Sequence, residues 1–81
     1  LLNREARQKI QEALEGLHED LRVVLVMKDV EGFPLKEICD ILELSLPAVK
    51  SRLHRARLVL RGALASYFQE QAGSKGNEGS R

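Results

Sequence analysis

The sequence has few of the residues that build metal sites, disulfides or membrane spans. Its 81 residues include one cysteine, two histidines and no tryptophan. A single cysteine closes no internal disulfide, and Cys39 has no metal-ligand spacing to His18 or His54, so neither a metal nor another cofactor is expected. No apolar run approaches the roughly 18 residues of a membrane span, and the N-terminus lacks a secretory pattern. We therefore expect a soluble cytoplasmic protein without a membrane partner.

The sequence also lacks the residue arrangements of common enzyme sites. It shows no Ser-His-Asp set, no paired carboxylates and no Gly-rich phosphate loop. His18 lies in a predicted turn between helices and His54 on a predicted helix surface, while Cys39 lies on an apolar helix face that suits a small packing residue. Neither catalysis nor a small-molecule substrate is predicted.

Acidic residues are missing from one long part of the chain. Residues 44–69 contain five Lys or Arg and no Asp or Glu, whereas residues 1–43 contain ten acidic and six basic residues. The two parts therefore carry +5 and −4 in a chain whose net charge is +1. Such a segregated basic stripe is typical of nucleic-acid binding. A solvated helix face, or a helical protein-interaction domain that meets an acidic partner, would show the same charge pattern.

Hydrophobic periodicity predicts an all-α domain of four helices. The first covers residues 2–16, with Gly16 expected to end it in the left-handed conformation. The second covers about residues 20–31 and is apolar around almost its whole circumference, so it is predicted to be the most buried element. The third has Pro34 in its first turn and ends near Glu43.

The fourth helix is expected to follow Ser45 as its N-cap, with Pro47 in the first turn. Its predicted inner face continues to Tyr67 or Phe68 and is made of apolar residues at three- and four-residue steps: Leu46, Val49, Leu53, Ala56, Leu60 and Leu64. From Ala72 onward, polar residues replace the apolar ones. The sequence therefore predicts a domain at residues 1–71 and a disordered, flexible tail at residues 72–81.

The third and fourth helices, with about three residues between them, form the pattern of a helix-turn-helix. Small or apolar residues are present where the two helices would cross, namely Ile38, Cys39, Leu42, Leu44, Val49 and Leu53. In such a motif the second helix enters the major groove of DNA by its N-terminus. The basic stripe is therefore expected to face DNA.

Position along the fourth helix separates candidate base contacts from candidate phosphate contacts. The candidates for base edges are Pro47, Ala48, Lys50, Ser51, Arg52, His54 and Arg55. Arg57 and Arg61 lie further along and are expected to hold phosphate. At the start of the third helix, Lys36 and the free backbone N–H groups form a further candidate phosphate contact, and plain surface charge explains Lys36 at least as well.

Two stretches together resemble region 4 of bacterial RNA polymerase sigma factors of the extracytoplasmic-function type. They are residues 32–42, GFPLKEICDIL, and residues 45–57, SLPAVKSRLHRAR. Residues 17–22, LHEDLR, are similar to the Leu-Pro-x-x-x-Arg segment that opens the second helix of that region. The resemblance covers about residues 14–64, and Val-Lys-Ser-Arg-Leu-x-Arg-Ala-Arg is its most specific part.

The resemblance implies that the fourth helix recognises the promoter −35 element while the N-terminal helices dock on the β flap of the RNA polymerase core. It also implies regulation by an anti-sigma factor that covers region 4. The part that reads the −10 element is not within these 81 residues, so a fragment or a lone module is expected. The nearest alternative is the helix-turn-helix output domain of a response regulator, which shares a Lys-Glu-Ile plus Val-Lys pattern. The Arg-x-x-Arg-Ala-Arg cluster favours the sigma family.

Four positions depart from the usual pattern of that family. His18 stands where proline is usual, Pro34 where serine or threonine is usual, Glu43 where glycine is usual, and Pro47-Ala48 where Gly-Thr is usual. Loss of the threonine removes one possible contact to phosphate or base. The apolar crossing positions remain, so these changes bear on the DNA contacts more than on the fold.

Overall fold

The computed structural model describes residues 3–73, with side chains described for residues 3–69. The helices in chain order are α1 (Arg4–Gly16), α2 (Glu19–Leu25), which continues as a π-helical segment (Val26–Val30), α3 (Leu35–Leu42) and α4 (Leu46–Gly73). Residues 3–73 contain no strand. The predicted all-α domain of four helices is confirmed. Helix α4 includes residues 72 and 73 of the predicted tail, and residues 74–81 lie outside the described residues.

Helix α1 ends at Gly16 as predicted, but the predicted left-handed cap is wrong. The next residue, Leu17, is extended (φ −71°, ψ 143°), and its N–H donates to the carbonyl of Leu14 at 3.2 Å. Leu17 is only 6% exposed because the extended chain carries it into the core. At the other end of α1, Asn3 Oδ1 caps the helix by accepting from the N–H of Ala6 at 2.7 Å.

Helix α2 begins at Glu19, one residue earlier than predicted. His18 is its N-cap, with Nδ1 accepting a hydrogen bond from the N–H of Asp20 at 3.2 Å. The histidine therefore supplies a side-chain cap where proline, which is usual in the family, has none. The chain then widens into the π-helical segment, in which the N–H of Glu31 donates to the carbonyl of Val26, five residues back, at 2.8 Å.

The turn between α3 and α4 has the predicted N-cap and an unexpected conformation at Glu43. Pro34 is the residue before α3 (φ −63°, ψ 151°), so its predicted place in the first turn is wrong. Glu43 is left-handed (φ 56°, ψ 48°), and the N–H of Leu44 donates to the carbonyl of Cys39 at 3.0 Å. Ser45 Oγ then accepts from the N–H of Ala48 at 3.2 Å, as expected for the cap of α4.

One apolar core connects α2, α3 and α4. Its buried members are Leu17, Val24, Leu25, Met27, Ile38, Val49, Leu53 and Ala56. The predicted burial of the middle of the fourth helix is confirmed, and that of the second is confirmed except at its end, where Val30 is 66% exposed. The inward placement of Leu46 is wrong because it is 43% exposed at the start of α4. Near the other end, Tyr67 is buried, and its hydroxyl donates to Glu5 Oε1 at 3.2 Å, while Phe68 is 53% exposed.

Replacing Glu43 by glycine is expected to stabilise the domain by about 0.5 to 1 kcal/mol. A side chain in the left-handed region costs roughly 1 to 2 kcal/mol, which glycine avoids. Glycine also gives the unfolded chain greater conformational freedom, and this offsets part of the gain in stability. Urea denaturation measures the difference. Glu43→Ala is the matched control, since it removes the charge and keeps the Cβ atom. If Glu43→Gly is no more stable than Glu43→Ala, the left-handed turn is not strained.

Candidate nucleic-acid interface

Helix α4 presents most of the predicted contact residues on its exposed sides. Val49, Leu53 and Ala56 hold the opposite face of the helix in the core. The exposed candidates are Pro47, Lys50, Ser51, His54, Arg55, Arg57 and Arg61, while Ala48 and Arg52 are half-buried. The packing of three core residues thus fixes which side of α4 is free to meet a ligand. The individual DNA contacts stay predictions.

Lys36 of α3 and Lys50 of α4 lie on one groove. The groove has a volume of about 490 Å³ and is also lined by Leu35, Cys39 and Leu46. Lys36 is the second residue of α3, and Pro34 provides no side-chain cap to the N–H groups there. The structure therefore brings together two cations that are 14 residues apart in the sequence, one from each helix of the helix-turn-helix.

Arg52 and Arg55 lie on a second depression, between α4 and the start of α2. Its volume is about 320 Å³, and His18, Asp20 and Leu21 complete its lining. Arg52 is half-buried there, whereas Arg55 is exposed. Because part of Arg52 packs against the domain, its replacement would remove packing as well as charge. Arg55 is therefore the better residue for testing a contact to a base edge, since its replacement removes less packing.

Arg57 is held by a carboxylate that sequence analysis did not single out. Its Nε donates to Asp29 Oδ2 at 2.9 Å and its Nη2 donates to Asp29 Oδ1 at 2.6 Å. These hydrogen bonds lower the pKa of Asp29, against an opposing effect of partial burial, and they raise the pKa of Arg57. Both groups are therefore charged at neutral pH, and the predicted phosphate contact of Arg57 meets a competing anion.

Sequence periodicity did not predict the contact with Asp29 because 28 residues separate the two partners. The available indication was local. Lys28 and Asp29 are charged residues in an otherwise apolar stretch, residues 23–30. A charged residue there needs either solvent or a partner.

Neither a metal-binding cluster nor a membrane-spanning helix is present in the part of the chain that the structure describes. It contains no group of three or more His, Cys, Asp or Glu side chains that would hold a metal ion. No helix within residues 3–73 has the length and apolar character to span a membrane.

A short helix, a left-handed turn and a second helix with a basic outer surface define a helix-turn-helix domain of the nucleic-acid-binding class. The family model described as "Sigma-70, region 4" matches residues 7–60, which include α2, α3 and the first half of α4. The chain belongs to this family. The sequence-based recognition of a sigma factor region 4 is confirmed, and the response-regulator alternative is not supported.

Several curated proteins to which the chain is similar are ECF RNA polymerase sigma factors. The chain is 40% identical over 65 residues to the ECF RNA polymerase sigma factor SigE of Mycolicibacterium smegmatis, an alignment covering 80% of this chain and 25% of the relative. It is 35% identical over 57 residues to the ECF RNA polymerase sigma-E factors of Escherichia coli K12 and Salmonella typhimurium LT2, covering 70% of this chain and 30% of each relative. The chain thus spans between a quarter and a third of the length of these relatives.

Proposed function

We propose that this chain directs transcription initiation by reading the promoter −35 element with α4 while the domain docks on the β flap of RNA polymerase. The observation that carries the proposal is the stretch of α4 at residues 46–69, which has five basic and no acidic residues and follows a helix-turn-helix turn in a member of the sigma region 4 family. The N-terminal turns of α4 enter the major groove, and cations on both flanks approach the phosphates. Both interactions are proposed to take place in the cytoplasm, where the polymerase acts.

Regulation by an anti-sigma factor belongs to the same proposal. The apolar second helix is not the free surface for it, because Val24, Leu25 and Met27 are buried in the domain core. Exposed apolar side chains lie at the end of that helix at Val30, at Phe33 in the turn before α3, and on α4 at Leu58, Val59 and Phe68. We therefore expect an anti-sigma partner to cover the outer side of α4 and that turn.

Salt dependence tests the DNA part of the proposal. The chain is titrated with fluorescent duplexes that it has itself enriched from a randomised pool, and with random duplexes, at several salt concentrations. If about four phosphates are neutralised, log affinity falls against log salt with a slope near −4, which is on the order of 100-fold between 50 and 200 mM salt. A module that buries on the order of 600–1,000 Å² is expected to bind weakly on its own.

Matched variants make this titration specific. Lys36→Gln, at a candidate phosphate contact, is expected to reduce the magnitude of the slope by about one. Lys9→Gln, at an exposed lysine on α1, serves as the control and is expected to leave the slope unchanged. Binding that ignores DNA sequence, or no binding at low salt, would contradict promoter recognition and favour a protein-interaction domain. Binding of a β-flap peptide is the second measurement, since only the sigma-factor hypothesis predicts it.

A further inference from the structure

Asp29 and Arg57 form a contact unlike the other ion pairs of the described residues. The others, Lys9 with Glu12 and His18 with Asp20, join residues two or three positions apart. The pair of Asp29 and Arg57 is bidentate and joins the π-helical segment to the start of the fourth turn of α4. Two parallel hydrogen bonds fix the angle between a guanidinium and a carboxylate as well as their distance. The pair therefore restrains how α4 lies on the segment before α3.

The wide turn of the π-helical segment sets the direction of Asp29. The hydrogen bond from the N–H of Glu31 back to the carbonyl of Val26 spans five residues, so the side chains inside this wide turn are displaced around the axis relative to an α-helix. Val30 follows the buried Met27 by three positions and would share its face in an α-helix, yet it is 66% exposed. The same displacement leaves the charged Asp29 directed to α4 and the apolar Val30 in solvent. The π-helical segment therefore leaves the apolar Val30 exposed while its Asp29 contacts Arg57.

The charge of Arg57 is compensated within the domain. Asp29 lies within 2.6 Å of it, so a phosphate that approaches Arg57 also approaches a carboxylate. A neutral pair releases no counterion from DNA and adds nothing to the salt slope. Arg61, about one turn further along the same flank, forms no ion pair within the described residues and is the natural comparison.

We infer that Asp29 and Arg57 form a charge-neutral brace that positions the recognition helix on the domain, and that Arg57 is not a contact to DNA phosphate. This inference rests on the proposed function, because a positioning role requires that α4 reads DNA. The inference replaces the phosphate contact that the sequence predicts for Arg57, and it assigns Asp29 a role in positioning α4. Asp29 and Arg57 are positioning residues for the side chains at the start of α4.

The test compares Arg57→Gln with Arg61→Gln in DNA titrations over several salt concentrations, under conditions where every variant is folded. Arg61→Gln is expected to reduce the magnitude of the slope by about one, and Arg57→Gln to leave it unchanged. Arg57→Gln is instead expected to reduce discrimination between the selected duplex and random DNA by about two- to five-fold. If Arg57→Gln lowers the slope as Arg61→Gln does, Arg57 holds a phosphate and the inference is wrong.

The double variant Asp29→Asn with Arg57→Gln tests whether the two residues act together. Each single variant and the double variant are expected to lose discrimination by the same factor, because each removes the same brace. Losses that multiply would overturn the inference. Urea denaturation of the same variants separates this result from failure of the proposed function. If the wild-type chain does not bind DNA, the function is wrong, and the brace still predicts a non-additive loss of stability.

Acid denaturation supplies an independent measurement of the pair. The pKa of Asp29 is lowered by its hydrogen bonds from Arg57, so the stabilisation is present above the unfolded-state pKa of about 3.9. It is lost as the pH falls below that value and through the folded-state pKa. The wild-type chain is therefore expected to lose more stability below about pH 4 than the double variant does. Equal losses would contradict the brace.

Discussion

Replacing Ile38 by alanine is expected to destabilise the domain by about 2 to 5 kcal/mol and to leave a large fraction of it unfolded. Ile38 is fully buried on α3, in the same cluster as Val49 and Leu53 of α4. Removing three carbon atoms there loses their transfer free energy and leaves a cavity at the crossing of the two helices. A domain of this size has a total stability of about 4 to 10 kcal/mol. Urea denaturation followed by far-UV circular dichroism measures the change.

Helix α3 provides its own control for this variant. Ile41 is 57% exposed, so Ile41→Ala removes the same atoms from the same helix without opening a cavity. It is expected to change stability by less than about 0.5 kcal/mol. Similar losses for Ile38→Ala and Ile41→Ala would mean that α3 does not pack as described.

Replacing Arg55 by alanine is expected to weaken binding to the selected duplex by about 1 to 3 kcal/mol, a loss of roughly 5- to 150-fold. Arg55 is exposed and lies about 14 Å along α4 from Leu46, within reach of the groove for a helix that enters by its N-terminus. An arginine makes two hydrogen bonds with the edge of a guanine, so its loss relaxes preference at one base position. Titration against duplexes that vary one position at a time identifies that position.

Arg61→Ala is the matched comparison for Arg55→Ala. Arg61 lies about 22 Å from the start of α4, beyond the part of the helix that is proposed to enter the groove. Its loss is expected to weaken selected and random duplexes alike and to reduce the magnitude of the salt slope by about one. If both variants discriminate equally between selected and random DNA, the division into base and phosphate contacts is wrong.

The periodicity of the sequence is sufficient to predict the helices and most of the core. Val49, Leu53 and Ala56 recur at helical steps and are buried, because a regular α-helix places such residues on one side. The same reasoning fails in the π-helical segment, where the turn is wider than the period assumes. It also fails for Leu46, which begins α4 and lies over the groove beside α3 instead of inside the core.

The candidate site is less accessible to sequence reasoning than the fold. The acid-free stretch identifies α4 as the basic helix, but it does not show which cations are already paired. The partner of Arg57 lies 28 residues away, and the partner of Tyr67 lies 62 residues away. The left-handed conformation of Glu43 is not indicated by the residue itself, since glutamate does not mark it as glycine does; the glycine that is usual at this position in the family is the one indication of it.

Because α4 is one uninterrupted helix, a small tilt at one end moves the other end by several ångströms. Tyr67 lies about 32 Å along the helix axis from Leu46, and its hydroxyl is hydrogen-bonded to Glu5 of α1. A tilt of about 5° at the Tyr67 end would move the Leu46 end by about 3 Å, which is enough to break a hydrogen bond to a base. Under the proposed function, the contact of α1 with Tyr67 therefore acts together with the core packing to orient the residues proposed to meet the groove.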